Sequence, residues 1–305
     1  MTNTTSPTFK ERYWSKTGDK PTSSLLGFLS TAGVAEYLRK GFAEFPEMKT
    51  IRKNKDAEHR EWAGGCTIAQ VMERLKYGNP EYTQAFLDGI EDEGLYVEDN
   101  TGIGMDVEGV AYDMGAVVED VPECCLTHGY PEPHRMLKMC VDITFDCSID
   151  TGTIRRRGVA IVNLINTLIQ MGYILDVDIM YIHDSHNLVG GRNMYEFFKL
   201  NTQTQCISEV AFYMTPEFMR VLCLAITEIH EGRLGGDIEI GGHARGEIEK
   251  DFLKAMQEEG TFFIGGSYND ENMRNLNTQE EANALIVKRF NEFCASRGQK
   301  GIPND

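Results

Sequence analysis

The stretch from residue 135 to residue 184 limits the fold of this chain more than any other. It opens on an apolar run through Met136, Leu137, Met139, Val141 and Ile143, and closes on Tyr173, Ile174, Leu175, Val177, Ile179, Met180 and Ile182. Both runs are short, and both alternate in part, as strands do. Between them Val159, Ile161, Val162, Leu164, Ile165, Leu168, Ile169 and Met171 set apolar side chains on nearly every side of one helix. Such a helix is expected to be buried, with Gly172 ending it. Strand, helix and strand at this spacing make a βαβ crossover. Segments 136–145 and 173–182 should therefore be parallel neighbours joined by a right-handed connection.

The remainder extends that pattern. A strand is expected at 194–200. Thr215, as N-cap, and Pro216, as first helical residue, should open a helix running to Gly232. Short strands are expected at 236–240 and 261–264, with helices over 247–259 and 279–297, the last capped by Thr278. Strands alternating with helices indicate an α/β fold: a mostly parallel, Rossmann-like sheet with helices on both faces. Three regions follow: an N-terminal arm and helix (1–60), a small helical and acidic region (61–134) and the α/β core (135–305). In the first, Ser23 and Ser24 are expected to cap a helix through Leu25, Leu29 and Leu38, and 49–60 reads as a basic linker. In the second, Thr67 caps a helix with Ile68, Val71, Met72 and Leu75 on one face, and another helix is expected over 80–90.

Charge is distributed unevenly. The formal charge is −17. Residues 77–134 hold 14 Asp or Glu and no Lys or Arg, whereas residues 1–76 carry a net +4. Such a chain is not a general nucleic-acid binder, because phosphate contacts need Lys and Arg. Valines and tyrosines interleave the acids, so an ordered acidic surface is expected rather than a tail. Its contact residues would be Asp88, Glu91, Asp92, Glu93, Glu98, Asp99, Glu119 and Asp120, and its partner a protein with a basic face. Eight irregularly spaced cysteines, without a legible secretory leader, suit a reducing cytosol. No apolar run approaches the ~20 residues of a membrane span.

Two blocks together carry a resemblance. One is Trp62, Gly64, Gly65, Cys66 and Thr67 with the helix up to Gly78. The other is Pro122, Glu123, Cys124 and Cys125, followed by Arg156, Arg157, Gly158 and the helix to Gly172. Together they resemble a family of uncharacterised tailed-bacteriophage proteins. The resemblance covers roughly residues 60–230. It implies a phage-encoded protein acting in the cytoplasm of an infected bacterium, and it implies no reaction; a homo-oligomer is a further expectation for the chain. The expected function is non-enzymatic: binding a host protein to inhibit or redirect it, with a DNA-targeting defence system as one such host.

Two other sites are legible. Asp142, Thr144, Asp146 and Ser148 place oxygens at alternate positions after a strand, with Asp184 at a second strand end. The run is similar to the Mg²⁺ site of von Willebrand A-like domains, and oxygen-only coordination suits that ion. The similarity implies a Mg²⁺-binding adaptor; a metal-dependent hydrolase is the third reading, and with neither, no cofactor is expected. Arg155, Arg156 and Arg157 stand at the start of the buried helix, against its dipole. They should pair with internal acids or hold an anion. A zinc set of His183, His186, His128 and His134 with Cys124 or Cys125 has suitable ligands but fits no usual spacing.

Overall fold

In the computed structural model the 135–184 stretch folds as its pattern requires. Residues 5–6, 9–14, 23–78, 103–106, 111–112, 125–128, 135–185, 192–200, 207–233, 247–299 and 301–302 are described. The strands are β1 (Thr5–Ser6), β2 (Phe9–Trp14), β3 (Ser23–Phe28), β4 (Ile103–Asp106), β5 (Ala111–Tyr112), β6 (Cys125–His128), β7 (Arg135–Asp142), β8 (Tyr173–Ser185), β9 (Arg192–Leu200) and β10 (Phe262–Ile264). The helices are α1 (Thr31–Glu44), α2 (Lys49–Lys53), α3 (Ala57–Trp62), α4 (Ile68–Tyr77), α5 (Thr151–Gln170), α6 (Ile207–Phe212), α7 (Leu224–Arg233), α8 (Lys250–Glu258) and α9 (Gln279–Ser296). A π-turn, Phe218–Cys223, runs directly into α7.

β7 and β8 pair in parallel from Arg135 opposite Tyr173 to Asp142 opposite Met180. α5 crosses between them. Asp150 caps its N-terminus by accepting from the Thr153 N–H at 2.9 Å, and Gly172, at φ +81°, carries the chain out of its C-terminus. Ile161, Val162, Leu164, Ile165 and Leu168 are all buried. At roughly 1.5–3 kcal/mol for each large aliphatic side chain, that burial outweighs the weak helix propensity of the β-branched residues.

The main sheet has the order β1-β2-β3-β9-β8-β7-β10. Its five strands from β3 to β10 are mostly parallel: β3–β9, β8–β7 and β7–β10 run together, and only β8–β9 opposes. One face packs under α1, α5, α7 and α9 around Tyr37, Val141, Ile161, Ile226 and Phe290. The other carries α8, whose Phe252, Leu253 and Met256 cover Cys140, Met180, Ile182 and Tyr195. The α/β core with helices on both faces is thus present. β4, β6 and β5 form a separate three-stranded antiparallel sheet.

The N-terminal expectations need correction. Ser23–Phe28 is a strand, not the first turns of a helix. Leu26 and Phe28 both enter the core, and the Phe28 ring stacks on Phe198 of β9 at 5.2 Å. The helix begins at Thr31, where the Ser30 hydroxyl accepts from the Gly33 N–H. Residues 49–62 hold two short helices rather than a linker. Residues 23–77 share one core with 135 onward, because Val34, Tyr37, Met48 and Val71 cluster with Ile226 and Ile229. Thr67 forms a capping box with Gln70, and Thr278 one with Glu281. The expected helix at 80–90 and strand at 236–240 lie outside the described residues.

Candidate functional site

β7 and β10 end side by side, and the loops that leave them meet. Asp142 is fully buried at this junction. Its Oδ1 accepts from the Thr144 N–H at 2.8 Å; its Oδ2 accepts from the Gly266 N–H at 2.9 Å and Asn269 Nδ2 at 2.6 Å. Burial raises its pKa, although these donors pull the other way. Thr144 Oγ1 accepts from the Ile182 N–H at 2.8 Å, tying the loop to β8. Asp146 Oδ1 accepts from the N–H and hydroxyl of Ser148, both at 2.8 Å, and its Oδ2 from the Tyr268 hydroxyl at 2.9 Å. The Ser148 bonds are the main cause of its pKa falling to about 2.

The carboxylate chemistry of the alternating run is therefore structural. All four carboxylate oxygens of Asp142 and Asp146 already accept from protein donors, and these bonds lock the β7 loop to the β10 loop. As arranged, the set does not fit Mg²⁺, which needs oxygens free to face the ion. Asp184 does not join it. It stands opposite Asn193, four residues beyond Met180, the register partner of Asp142, or about 13 Å along the strand. Its side chain is outside the described ones. Among the described residues no group of three His, Cys, Asp or Glu is arranged to hold a metal ion.

Each of the three arginines has an internal duty. Arg157 is buried, and its Nη2 donates to the carbonyls of Asp142 at 2.7 Å and Gly265 at 3.1 Å. Burial lowers its pKa to about 10. Arg156 Nε donates to the Leu276 carbonyl at 2.6 Å, and its guanidinium stands 3.8 Å from Asp150. Arg155 reaches Glu217 at 3.5 Å and the Gly64 carbonyl at 3.4 Å.

Glu217 explains the tryptophan–glycine block. It is 1% exposed and pairs also with Arg74 at 3.2 Å. Gly64, at φ +98°, lies so close that a Cβ there would stand 2.5 Å from the Glu217 carboxyl carbon. One turn on, Arg220 donates to the Trp62 carbonyl at 2.7 Å and covers the Trp62 ring at 4.4 Å. Trp62 Nε1 in turn donates to the Cys147 carbonyl at 2.9 Å. The block thus braces the outer side of the β7 loop, leaving Cys147 and Ser148 exposed.

A second polar cluster lies between the sheet and α7. His183 Nε2 is 3.2 Å from Glu231 Oε1, and the Thr227 hydroxyl donates to Glu196 Oε1 at 2.7 Å. All four side chains are at most 2% exposed. Burial drives the Glu196 pKa well above the usual carboxylate range, and the nearby Glu231 adds to it. Beside them Glu228 accepts from the Thr50 N–H and hydroxyl at the start of α2, with its pKa raised to about 7 by burial.

The structure therefore brings Asp142, Thr144, Asp146 and Ser148 together, and it sets Arg155, Arg156 and Arg157 beside them as internal braces. The eight acidic contact candidates, together with Cys124, His134 and His186, lie outside the described residues; Cys125 and His128 lie on β6 with undescribed side chains. Glu196, Thr227, Glu231, Glu217 and Arg220 were missed by the sequence reading. A signal was present for Glu196, which occupies a core-facing register between Met194 and Phe198. Another was the charged run Glu228–Glu231 on an otherwise apolar helix.

The sheet, its crossover and the interlocked loops define a mixed α/β protein with a mostly parallel core. The chain belongs to the family described as Domain of unknown function (DUF7192), which matches residues 16–290. No curated protein and no solved structure matches it. No helix among the described residues is long and apolar enough to cross a membrane.

Proposed function

We propose that this chain is a binding protein rather than an enzyme, and that the acidic stretch between α4 and β7 engages a protein with a basic face. The observation that carries the reading is the charge asymmetry: 14 acids and no Lys or Arg over residues 77–134, in a chain whose neighbouring stretch is net positive. The strand-end loops support it from the other side. Their carboxylates are engaged by backbone and side-chain donors and their arginines by backbone carbonyls, as in a rigid scaffold, instead of being held ready for a substrate. The phage motif resemblance supports a role in an infected bacterium, in which a host protein, such as a DNA-targeting defence factor with a basic groove, is inhibited or redirected. A basic nucleic-acid groove is complementary to an acidic protein surface by simple electrostatics.

The test is affinity capture from bacteria expressing the chain, compared with a variant carrying Glu91→Gln, Asp92→Asn and Glu93→Gln. The amides are close in size and shape to the acids they replace and add no charge, so the variant should fold. The captured partner should bind it less tightly at low salt, and the difference should shrink at high salt. Equal affinity of both proteins at both salts would remove the acidic stretch from the interface.

A second reading is favoured by one observation. β9 antiparallel to β8, β8 parallel to β7, and β10 parallel on the far side of β7 is an arrangement compatible with a von Willebrand A-like adaptor. That adaptor would use the same loops as a contact surface. Substitution in the loops separates the two: loss of partner binding in Ser148→Arg, with the acidic-stretch variant binding normally, would favour the adaptor.

A further inference from the structure

The outer side of α1 is not dressed for solvent. Its inner side, Val34, Tyr37, Leu38 and Gly41, is buried, as a surface helix requires. Beside that side Ala32 is exposed and Ala35 and Phe42 are half-buried, and among the described residues they line, with the half-buried Met72 of α4, an open groove of about 740 Å³. Two of the large hydrophobic side chains most exposed among the described residues adjoin it in the chain. Leu29 is 50% exposed just before α1, and Tyr77 is 63% exposed at the end of α4. An apolar groove open at the surface marks a protein contact.

The rim says which protein. It carries both signs on one helix, Glu36 and Arg39, with Lys76 on the facing helix. Glu36 already accepts from Lys40 at 2.6 Å, so the acid is flanked by cations within its own chain. A purely basic or purely acidic partner would leave one sign unmatched. A surface that bears an acid and a base three residues apart is instead complementary to itself. In an isologous two-fold interface residue i meets residue j while j meets i. Two α1 helices packed antiparallel, with the axis between Glu36 and Arg39, bring each Glu36 to the partner's Arg39. The small Ala32 and Ala35 side chains let the helices approach closely.

We propose that the α1–α4 groove is a dimer interface that binds a second copy of this chain, sealed by reciprocal Glu36–Arg39 pairs. The interface is distinct from the acidic stretch, and the proposal does not rest on that stretch binding a host protein.

Sedimentation equilibrium of the full chain across the micromolar range tests it. The wild type should show a concentration-dependent monomer–dimer equilibrium. Ala35→Glu should be monomeric with an unchanged circular dichroism spectrum. Glu36→Arg and Arg39→Glu should each weaken the dimer by about tenfold or more through like-charge contacts across the axis. The double variant, in which the two charges are exchanged, should recover dimerisation, which a merely misfolded protein would not do. A wild type that stays monomeric throughout, its groove filled by its own chain or kept for a different protein, overturns the proposal. A dimer indifferent to all these substitutions overturns it equally.

Discussion

Arg157 Nη2 lies 2.7 Å from the backbone carbonyl oxygen of Asp142, and through that contact a helix side chain holds the end of a strand. The same nitrogen reaches Gly265 O at 3.1 Å, so one guanidinium joins the ends of β7 and β10. Its ring neighbour Phe145, 5.1 Å away, shields the pair of contacts from water. Replacing Arg157 by Met keeps much of the volume but strands buried carbonyls. A loss of about 3 kcal/mol is expected, read as a lower urea midpoint at unchanged m-value. Arg157→Lys should recover only part of it, since an ammonium lacks the planar fork.

Gly266 gives a sharper contrast. A Cβ there would lie 2.2 Å from the Thr144 carbonyl oxygen and 2.9 Å from Asp142 Oδ2. Neither atom can move without opening the interlocked loops. Gly266→Ala should therefore lower stability by roughly 2–4 kcal/mol, within the range for overpacking and lost buried hydrogen bonds. At Gly265 the nearest atom would be the Asn269 Cβ at 3.1 Å, and Gly265→Ala should cost distinctly less. Thermal unfolding of the two variants side by side checks the order.

Glu228 ties stability to pH. Burial lifts its folded pKa to about 7, above the ordinary glutamate value of 4.5, so the folded state holds a proton that the unfolded chain releases. Its favourable contribution is complete below about pH 4.5 and is lost as pH rises to about 7. The shift corresponds to roughly 3 kcal/mol across that window. Glu228→Gln keeps an acceptor for the Thr50 N–H and removes the titration. Relative to wild type it should gain stability between pH 5 and pH 8, with the difference flat above pH 8. A wild type and variant with parallel stability–pH curves would remove Glu228 from the account.

Trp62 should matter through its nitrogen as well as its ring. Trp62→Phe keeps a surface for Arg220 but loses the bond to the Cys147 carbonyl, at a cost of about 1 kcal/mol. Trp62→Ala loses both, with about 3 kcal/mol expected. Because Trp62 braces the exposed Cys147–Ser148 turn, faster thiol labelling of Cys147 in Trp62→Ala is the accompanying readout.

The crossover at 135–184 was legible because its evidence is local. Val159 through Leu168 are apolar on nearly every side, and that alone demands burial whatever covers them. The caps at Thr67 and Thr278 are local in the same sense, since each side chain bonds its own first turn. Ser23–Phe28 was misread for the opposite reason. Its leucines fit a helix as well as a strand, and the choice fell to β9, whose partner residues begin 170 positions later at Met194 opposite Ser24.

Residue types and their spacing thus determined the α/β class, the buried central helix, the starts of α4 and α9, and the charge asymmetry on which the binding proposal rests. Tertiary structure decided what the polar residues do. In the sequence Asp142 and Asp146 read as candidate metal ligands. They became loop ties because Gly266, Tyr268 and Asn269, more than 120 positions away, bring the donors. Glu196 became a buried acid because α7 lies over it. Periodicity reports only which face of an element is apolar; a carboxylate's role depends on the donors that folding sets within about 3 Å of it, and those come from distant parts of the chain.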